Sequence, residues 1–206
     1  MTQPDYTAQW RNTRFFQSVG KLAQLPTSGV EVAFAGRSNA GKSSTLNRLC
    51  GQKALARTSR TPGRTQLINL FDWAEDARLA DLPGYGFAKA PQAVRRQWAD
   101  LVQGYFVNHP PLRAVVVIMD ARRPLTELDQ QMVEWASAGG LPVLCLLNKA
   151  DKLGWGAAMS ALLQTRKELA KLNLPQVQAE LFSAQSGLNV DQVRRIIGDW
   201  LMATEA

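Results

Sequence analysis

The stretch Gly36-Arg37-Ser38-Asn39-Ala40-Gly41-Lys42-Ser43-Ser44 fits the pattern G-x-x-x-x-G-K-[ST] at every fixed position. That pattern makes narrow physical demands. Its glycines let consecutive backbone N–H groups turn inward around an anion. The helix that follows adds favourable partial positive charge at its N-terminus. The loop therefore needs a buried strand before it and a helix after it. Residues 30–35, Val-Glu-Val-Ala-Phe-Ala, supply the strand. Leu46, Leu49 and Cys50 fall on one face of the helix, and Gly51 is the expected stop. Lys42 is expected to reach the β- and γ-phosphates of a nucleotide, and the Ser43 hydroxyl to bind Mg²⁺.

With 206 residues, 46% hydrophobic and 20% charged, the chain reads as one globular domain with a sizeable core. No apolar run approaches the roughly 18 residues of a membrane span. The start Met1-Thr2-Gln3-Pro4-Asp5-Tyr6 lacks the layout of a signal peptide. A cytoplasmic protein with no membrane partner is expected. Cys50 and Cys145 lie in apolar segments and read as reduced core residues. The net charge is +7, and basic pairs recur at Arg95-Arg96, Arg122-Arg123 and Arg194-Arg195. Such a surface favours a polyanion, nucleic acid above all, though charge alone also suits an ordinary basic protein.

Along the chain, residues 1–10 read as loosely ordered. Phe15, Phe16, Val19, Leu22 and Leu25 have helix-like spacing ended by Pro26. This predicts an amphipathic lead-in over 1–27, packed on a domain of 28–206. Residues 52–66 have no hydrophobic periodicity and form a long polar, basic loop where a nucleotide-sensing segment would stand. Residues 67–71 and 78–80 read as hairpin strands bracketing Trp73-Ala74-Glu75-Asp76. Residues 92–107 have helical spacing closed by His109-Pro110-Pro111, and His109 reads as a cap or surface group without a role. Residues 114–119 are a buried strand ending in Asp120. Thr126-Glu127-Leu128-Asp129 resembles a capping box with Asp in the usual Glu position. Asp120, Arg122 and Arg123 have a functional reading, but a strand-end loop and a helix cap explain most of them. Strands at 142–147 and 178–182 alternate with helices at 157–172 and 190–202.

Three further elements carry chemistry. Asp81-Leu82-Pro83-Gly84 ends an apolar strand in a glycine turn. Asp81 there would hold Mg²⁺, directly or through water, and the Gly84 N–H would meet a γ-phosphate. Asn148-Lys149-Ala150-Asp151 follows a buried strand. A carboxylate at Asp151 can accept from guanine N1–H and its 2-amino group, and adenine offers neither donor. Lys149 would lay its stem over the base, and Asn148 would tether the loop. Phe182-Ser183-Ala184 ends the next strand and would present the Ala184 N–H to guanine O6.

Taken together with Thr61-Pro62-Gly63-Arg64-Thr65-Gln66 and the run Asp81-Leu82-Pro83-Gly84-Tyr85-Gly86-Phe87-Ala88, these motifs resemble the EngB (YihA/YsxC) family of TRAFAC-class bacterial ribosome-assembly GTPases. The resemblance covers roughly residues 28–203. It implies a three-layer α/β/α phosphate-loop (Ras-like) fold, with a six-stranded, mostly parallel sheet and one antiparallel edge strand. It implies a monomeric GTP- and GDP-binding protein acting on the large ribosomal subunit or its precursor, through rRNA and ribosomal proteins. A family link to cell division and septation comes with it. By motif match, Thr65 joins the Mg²⁺ shell with Ser43 and Asp81, and the backbone of Gly63, Arg64, Thr65, Gln66 and Leu67 closes over the phosphates.

Many such enzymes position the attacking water with a glutamine after Asp-x-x-Gly. Here that position is Tyr85. Slow hydrolysis is the expectation, with Lys42, Thr65, Gly84 and Asn39 as the catalytic set. Asn39 has two open readings. It coordinates K⁺ in place of an arginine finger, or it shapes the loop. Arg57, Arg60 and Arg64 meet RNA or solvate a loop. Trp155 is a partner contact or a packed anchor. Two functions compete, a switch acting on a ribosomal precursor and a nucleotide-dependent scaffold in cell division. A small-molecule kinase would leave residues 148–151 unexplained.

Overall fold

The computed structural model describes residues 4–56, 67–86 and 91–203. In chain order these form α1 (Thr7–Asn12), β1 (Arg14–Val19), β2 (Val30–Gly36), α2 (Lys42–Cys50), β3 (Ile68–Ala74), β4 (Ala77–Asp81), α3 (Gln92–Asn108), β5 (Leu112–Asp120), α4 (Glu127–Ala138), β6 (Val143–Asn148), α5 (Trp155–Lys171), β7 (Val177–Leu181) and α6 (Val190–Met202). The apolar runs of β2, β5 and β6 lie in the middle of one sheet of order β1-β3-β4-β2-β5-β6-β7. Buried on both faces, they need no polar alternation. β4, β2, β5, β6 and β7 are parallel, and β3 runs antiparallel to both its neighbours.

Helices cover both faces. Trp98 and Val102 of α3, Met132 and Val133 of α4 and Leu162 of α5 pack on Ala33, Val115 and Val117. Trp10 of α1, Leu46 and Leu49 of α2 and Ile197 of α6 pack on Val32, Phe34 and Val116. The expected three-layer α/β/α arrangement is present, with two corrections. The sheet has seven strands rather than six, and β3 is not at the edge. Residues 14–19, read from spacing as helical, instead pair with β3 as the edge strand β1, followed by a 3₁₀ turn at Leu22–Gln24. Residues 7–10, part of the stretch 1–10 read as loose, fall in α1, which forms around the fully buried Trp10. Among the described residues no helix is long and apolar enough to cross a membrane.

The hairpin turn is tighter than expected. β3 continues through Trp73, which is 2% exposed, and turns at Glu75-Asp76. The capping box at Thr126 forms as read, with Thr126 and Asp129 bonding reciprocally.

The parallel strands give the sheet two unlike ends. Their C-terminal ends, at Gly36, Asp81, Asp120, Asn148 and Leu181, share one edge, and the loops leaving it gather there. At the other end lies a buried ionic knot. Glu31, fully buried, accepts from Arg78 Nε at 2.9 Å and Tyr105 Oη at 2.7 Å, and lies 2.9 Å from His109 Nε2. Arg78 also donates to the Ser28 carbonyl. The His109 ring stacks on Tyr105 with centroids 4.7 Å apart. His109 is therefore a partner of Glu31 with its side chain 6% exposed, where its place at a helix end suggested a cap or surface group without a role.

Candidate functional site

The loop between β2 and α2 is a backbone cradle. α2 begins at Lys42 with no side-chain cap, so the N–H groups of its first turn are left for an external acceptor. Gly41 precedes it at φ 99°, and a Cβ there would meet Asn148 Nδ2 at 2.2 Å. Only glycine satisfies both constraints. Gly36 is tightly placed as well, because a Cβ would lie 3.0 Å from the Ile118 carbonyl oxygen. Arg37, Ser38 and Asn39 form the outer turn, closed by Ala40 N–H donating to the Arg37 carbonyl at 2.9 Å. Ser43 and Ser44 stand in the first turn of α2.

Residues 148–151 are tied to this cradle. Asn148, 2% exposed, donates through Nδ2 to the Ala40 carbonyl at 2.8 Å and accepts from the Ala184 N–H at 3.2 Å. One side chain thus joins the phosphate loop to the turn after β7. Lys149 Nζ donates to the Asn39 carbonyl at 2.6 Å and to Asp120 at 3.0 Å. The fully buried Ser183 donates to Asp151 Oδ1 at 2.6 Å, which holds that carboxyl below the usual carboxylate value. Ala150 N–H donates to the Phe182 carbonyl at 3.1 Å, registering the two loops. A second carboxylate matters here that residue type alone did not single out. Asp120 is held well below the usual range by the Arg122 guanidinium and then by Lys149. It accepts from Lys149 Nζ at 3.0 Å and from Arg122 Nε at 2.8 Å.

On the other flank, Lys42 Nζ is paired with Asp81 at the end of β4. Leu82, Pro83 and Gly84 follow along β2, and Tyr85 makes an isolated bridge to Arg37. The Tyr85 hydroxyl is spent on Asp129, 2.7 Å away, and burial followed by that neighbouring charge pushes the phenol well above its ordinary value. Asp81 and Ser43 are both hard oxygen donors, the set a small divalent cation such as Mg²⁺ takes. Asp81 is 4% exposed, and among the described residues Lys42 alone neutralises it. A cavity of about 450 Å³ opens between the outer turn and α4, lined by Arg37, Asn39, Asp120, Arg123, Asp129 and Lys149 among others. Gly63, Arg64, Thr65 and Gln66 lie outside the described residues, as do Arg57, Arg60, Phe87 and Ala88. Leu67 is described and leads into β3. Trp155 is 69% exposed at the start of α5, so it is not a packed anchor.

A family described as 50S ribosome-binding GTPase matches residues 31–149. The "probable GTP-binding protein EngB" of Photobacterium profundum is 51% identical over 192 residues, covering 93% of this chain and 82% of that protein. The chain belongs to the EngB family of GTPases. The protein of the same name from Escherichia coli O139:H28 (strain E24377A / ETEC) is 49% identical over 192 residues, 93% of this chain and 91% of that one. A crystal structure titled as a probable GTP-binding protein engB superposes with a TM-score of 0.64, covering 82% of this chain and 97% of that one. At 24% identity it speaks for the fold alone. As a member of the EngB family, the chain is a GTPase.

Proposed function

We propose that this chain binds GTP and GDP, hydrolyses GTP slowly, and works as a conformational switch during assembly of the large ribosomal subunit. One observation carries the nucleotide reading. Asn148 bonds both the phosphate loop and the Ala184 turn, so a phosphate cradle and a guanine-selective carboxylate, Asp151, are held as one unit. In this reading the backbone of residues 36–44 and Lys42 hold the phosphates, and the Ala184 N–H, which donates to Asn148 Oδ1 in this structure, turns to guanine O6 when the base is bound. Residues 82–84 and 63–67 close over the γ-phosphate. Ser43, Asp81 and Thr65 hold Mg²⁺, which when bound neutralises charge on the β- and γ-phosphates.

Slow turnover follows from Tyr85. Its hydroxyl is engaged with Asp129 and is not free to orient water. Positive charge must then come from elsewhere. The Asn39 side chain is exposed and has no hydrogen-bond partner among the described residues, which suits K⁺ as the second cation. Its backbone at φ 67° also fits the loop-shaping reading. Equal GTPase rates in K⁺ and Na⁺ would remove the cation reading.

The partner reading draws on the +7 charge and on the 50S ribosome-binding description of the matching family. Co-sedimentation with large-subunit particles tests it. Retention with a non-hydrolysable GTP analogue and release with GDP is expected. Binding to no ribosomal particle, with nucleotide-independent capture by a cell-division protein, would replace the switch with a scaffold.

A further inference from the structure

Gly84 lies in a segment held from every side. Leu82 N–H donates to the Phe34 carbonyl at 2.9 Å, and Tyr85 N–H to the Gly36 carbonyl at 3.3 Å. Ser38 N–H donates to the Tyr85 carbonyl at 2.8 Å, and Trp98 Nε1 to the Pro83 carbonyl at 2.9 Å. Proline has no N–H. Among the described residues, the Gly84 N–H is thus the one donor of residues 82–85 left without a partner, between two neighbours that are tied down. It stands close against the phosphate loop, since a Cβ on Gly84 would lie 3.5 Å from the Gly36 carbonyl oxygen and 3.7 Å from Ser38 N.

Tyr85 is held in turn by α4. Its hydroxyl donates to Asp129 Oδ1 at 2.7 Å, and both residues are 2% exposed. The other oxygen, Oδ2, accepts from Thr126 N–H at 3.0 Å and Thr126 Oγ1 at 2.8 Å. The carboxylate cannot swing without opening the helix cap. The place of Tyr85, and so of Gly84, is referenced to the first turn of a packed helix. The Trp98 ring, 5.8 Å from the Tyr85 ring, closes the remaining side.

We infer that Asp129 is a positioning residue for recognition of the γ-phosphate: through the Tyr85 hydroxyl it fixes the Gly84 N–H beside the phosphate loop and raises the preference for GTP over GDP. The inference rests on the reading of Gly84 as the γ-phosphate donor given above. A donor already in place needs no reorganisation when the anion arrives. GDP does not extend to it, so the effect belongs to GTP alone.

The test compares affinities for GDP and a non-hydrolysable GTP analogue in Tyr85→Phe, Asp129→Ala and Thr126→Ala. Tyr85→Phe keeps the ring and removes the hydroxyl. Affinity for the GTP analogue should fall about fivefold in Tyr85→Phe and Asp129→Ala, the size of one ordinary hydrogen bond, with GDP affinity within about twofold. The double variant should be no weaker than the weaker single one. Thr126→Ala removes one of the two bonds on Asp129 Oδ2 and keeps the Thr126 N–H bond, which still holds Asp129 on Tyr85. It should lower the melting temperature and leave the GTP/GDP ratio at the wild-type value. An unchanged ratio in folded Tyr85→Phe, or an equal loss in Thr126→Ala, overturns the inference. The ¹⁵N amide signal of Gly84 separates it from the reading beneath. If that signal does not distinguish the GTP analogue from GDP in the wild type, Gly84 is not the donor. If it does and the ratio is still unmoved in Tyr85→Phe, only the tether fails.

Discussion

Asp151 uses its two oxygens differently. One accepts the Ser183 hydroxyl, and the other lies beside Lys152 at 3.4 Å. Its partners keep it an acceptor over a wide pH range, which is what a ligand offering only donors requires. Asp151→Asn turns one acceptor into a donor facing guanine N1–H and the 2-amino group. GDP affinity should fall on the order of a hundredfold. A xanthine nucleotide, with an acceptor at C2, should instead bind the variant more tightly than the wild type, because the Asn amide donates where the carboxylate could not. Titration with both nucleotides checks this. Glu31 makes a different point at the same scale. Burial would raise its carboxyl, but hydrogen bonds from His109 and Tyr105 and the Arg78 guanidinium leave it lowered from 4.5. A folded-state value below the unfolded one adds stability above pH 4.5, and that stability is lost as pH falls through the lowered folded value. Melting temperature should therefore fall as pH drops below 4.5 in the wild type. Glu31→Gln should be about 3–5 kcal/mol less stable at neutral pH, because Arg78 is left buried without its counter-charge. Its melting temperature should also vary less with pH across that acid range.

At the scale of elements, α1 is short but firmly held. Trp10 is fully buried, its ring lies 5.8 Å from Trp73, and its Nε1 donates to the Arg194 carbonyl at 3.3 Å. Tyr6 covers Gly198 and donates to Asp199 at 2.8 Å. Trp10→Ala should cost about 3–5 kcal/mol, read from the urea midpoint, although residue 10 belongs to none of the nucleotide motifs. This region was the least legible in the sequence, and the reason is physical. Phe15 and Phe16 are 55% and 46% exposed, so β1 has no alternation of buried and exposed faces to betray it. Its hydrogen-bond partner, β3, begins at Ile68, far along the chain. Pairing at that distance leaves no local signature. His109 was hidden in the same way, by a partner 78 residues earlier. By contrast β2, β5 and β6 were plain, because burial on both faces writes itself as an unbroken apolar run. The cradle was plain too, since its glycines and Lys42 are dictated locally. Asp120 and Asp129 were not, because a carboxylate that holds another side chain looks like any loop or cap residue.

For the whole molecule, charge is the quantity that reaches furthest. A +7 protein that meets RNA displaces counterions from it, so binding to large-subunit particles should weaken linearly in log–log coordinates as salt rises. Sedimentation across a salt series gives the slope. A flat line would mean that contacts other than phosphate carry the interaction. The two ends of the sheet have a further consequence. Glu31, Arg78, Tyr105 and His109 bind β2, β4 and α3 together at the end away from the nucleotide motifs. The opposite edge carries the loops that must admit and release a ligand. A structure riveted along one margin can open along the other like a book on its spine. Deuterium should therefore enter the amides following Gly36, Asp81 and Asn148 through small local openings. The amides around Glu31 and Arg78 should wait for the whole fold to come apart.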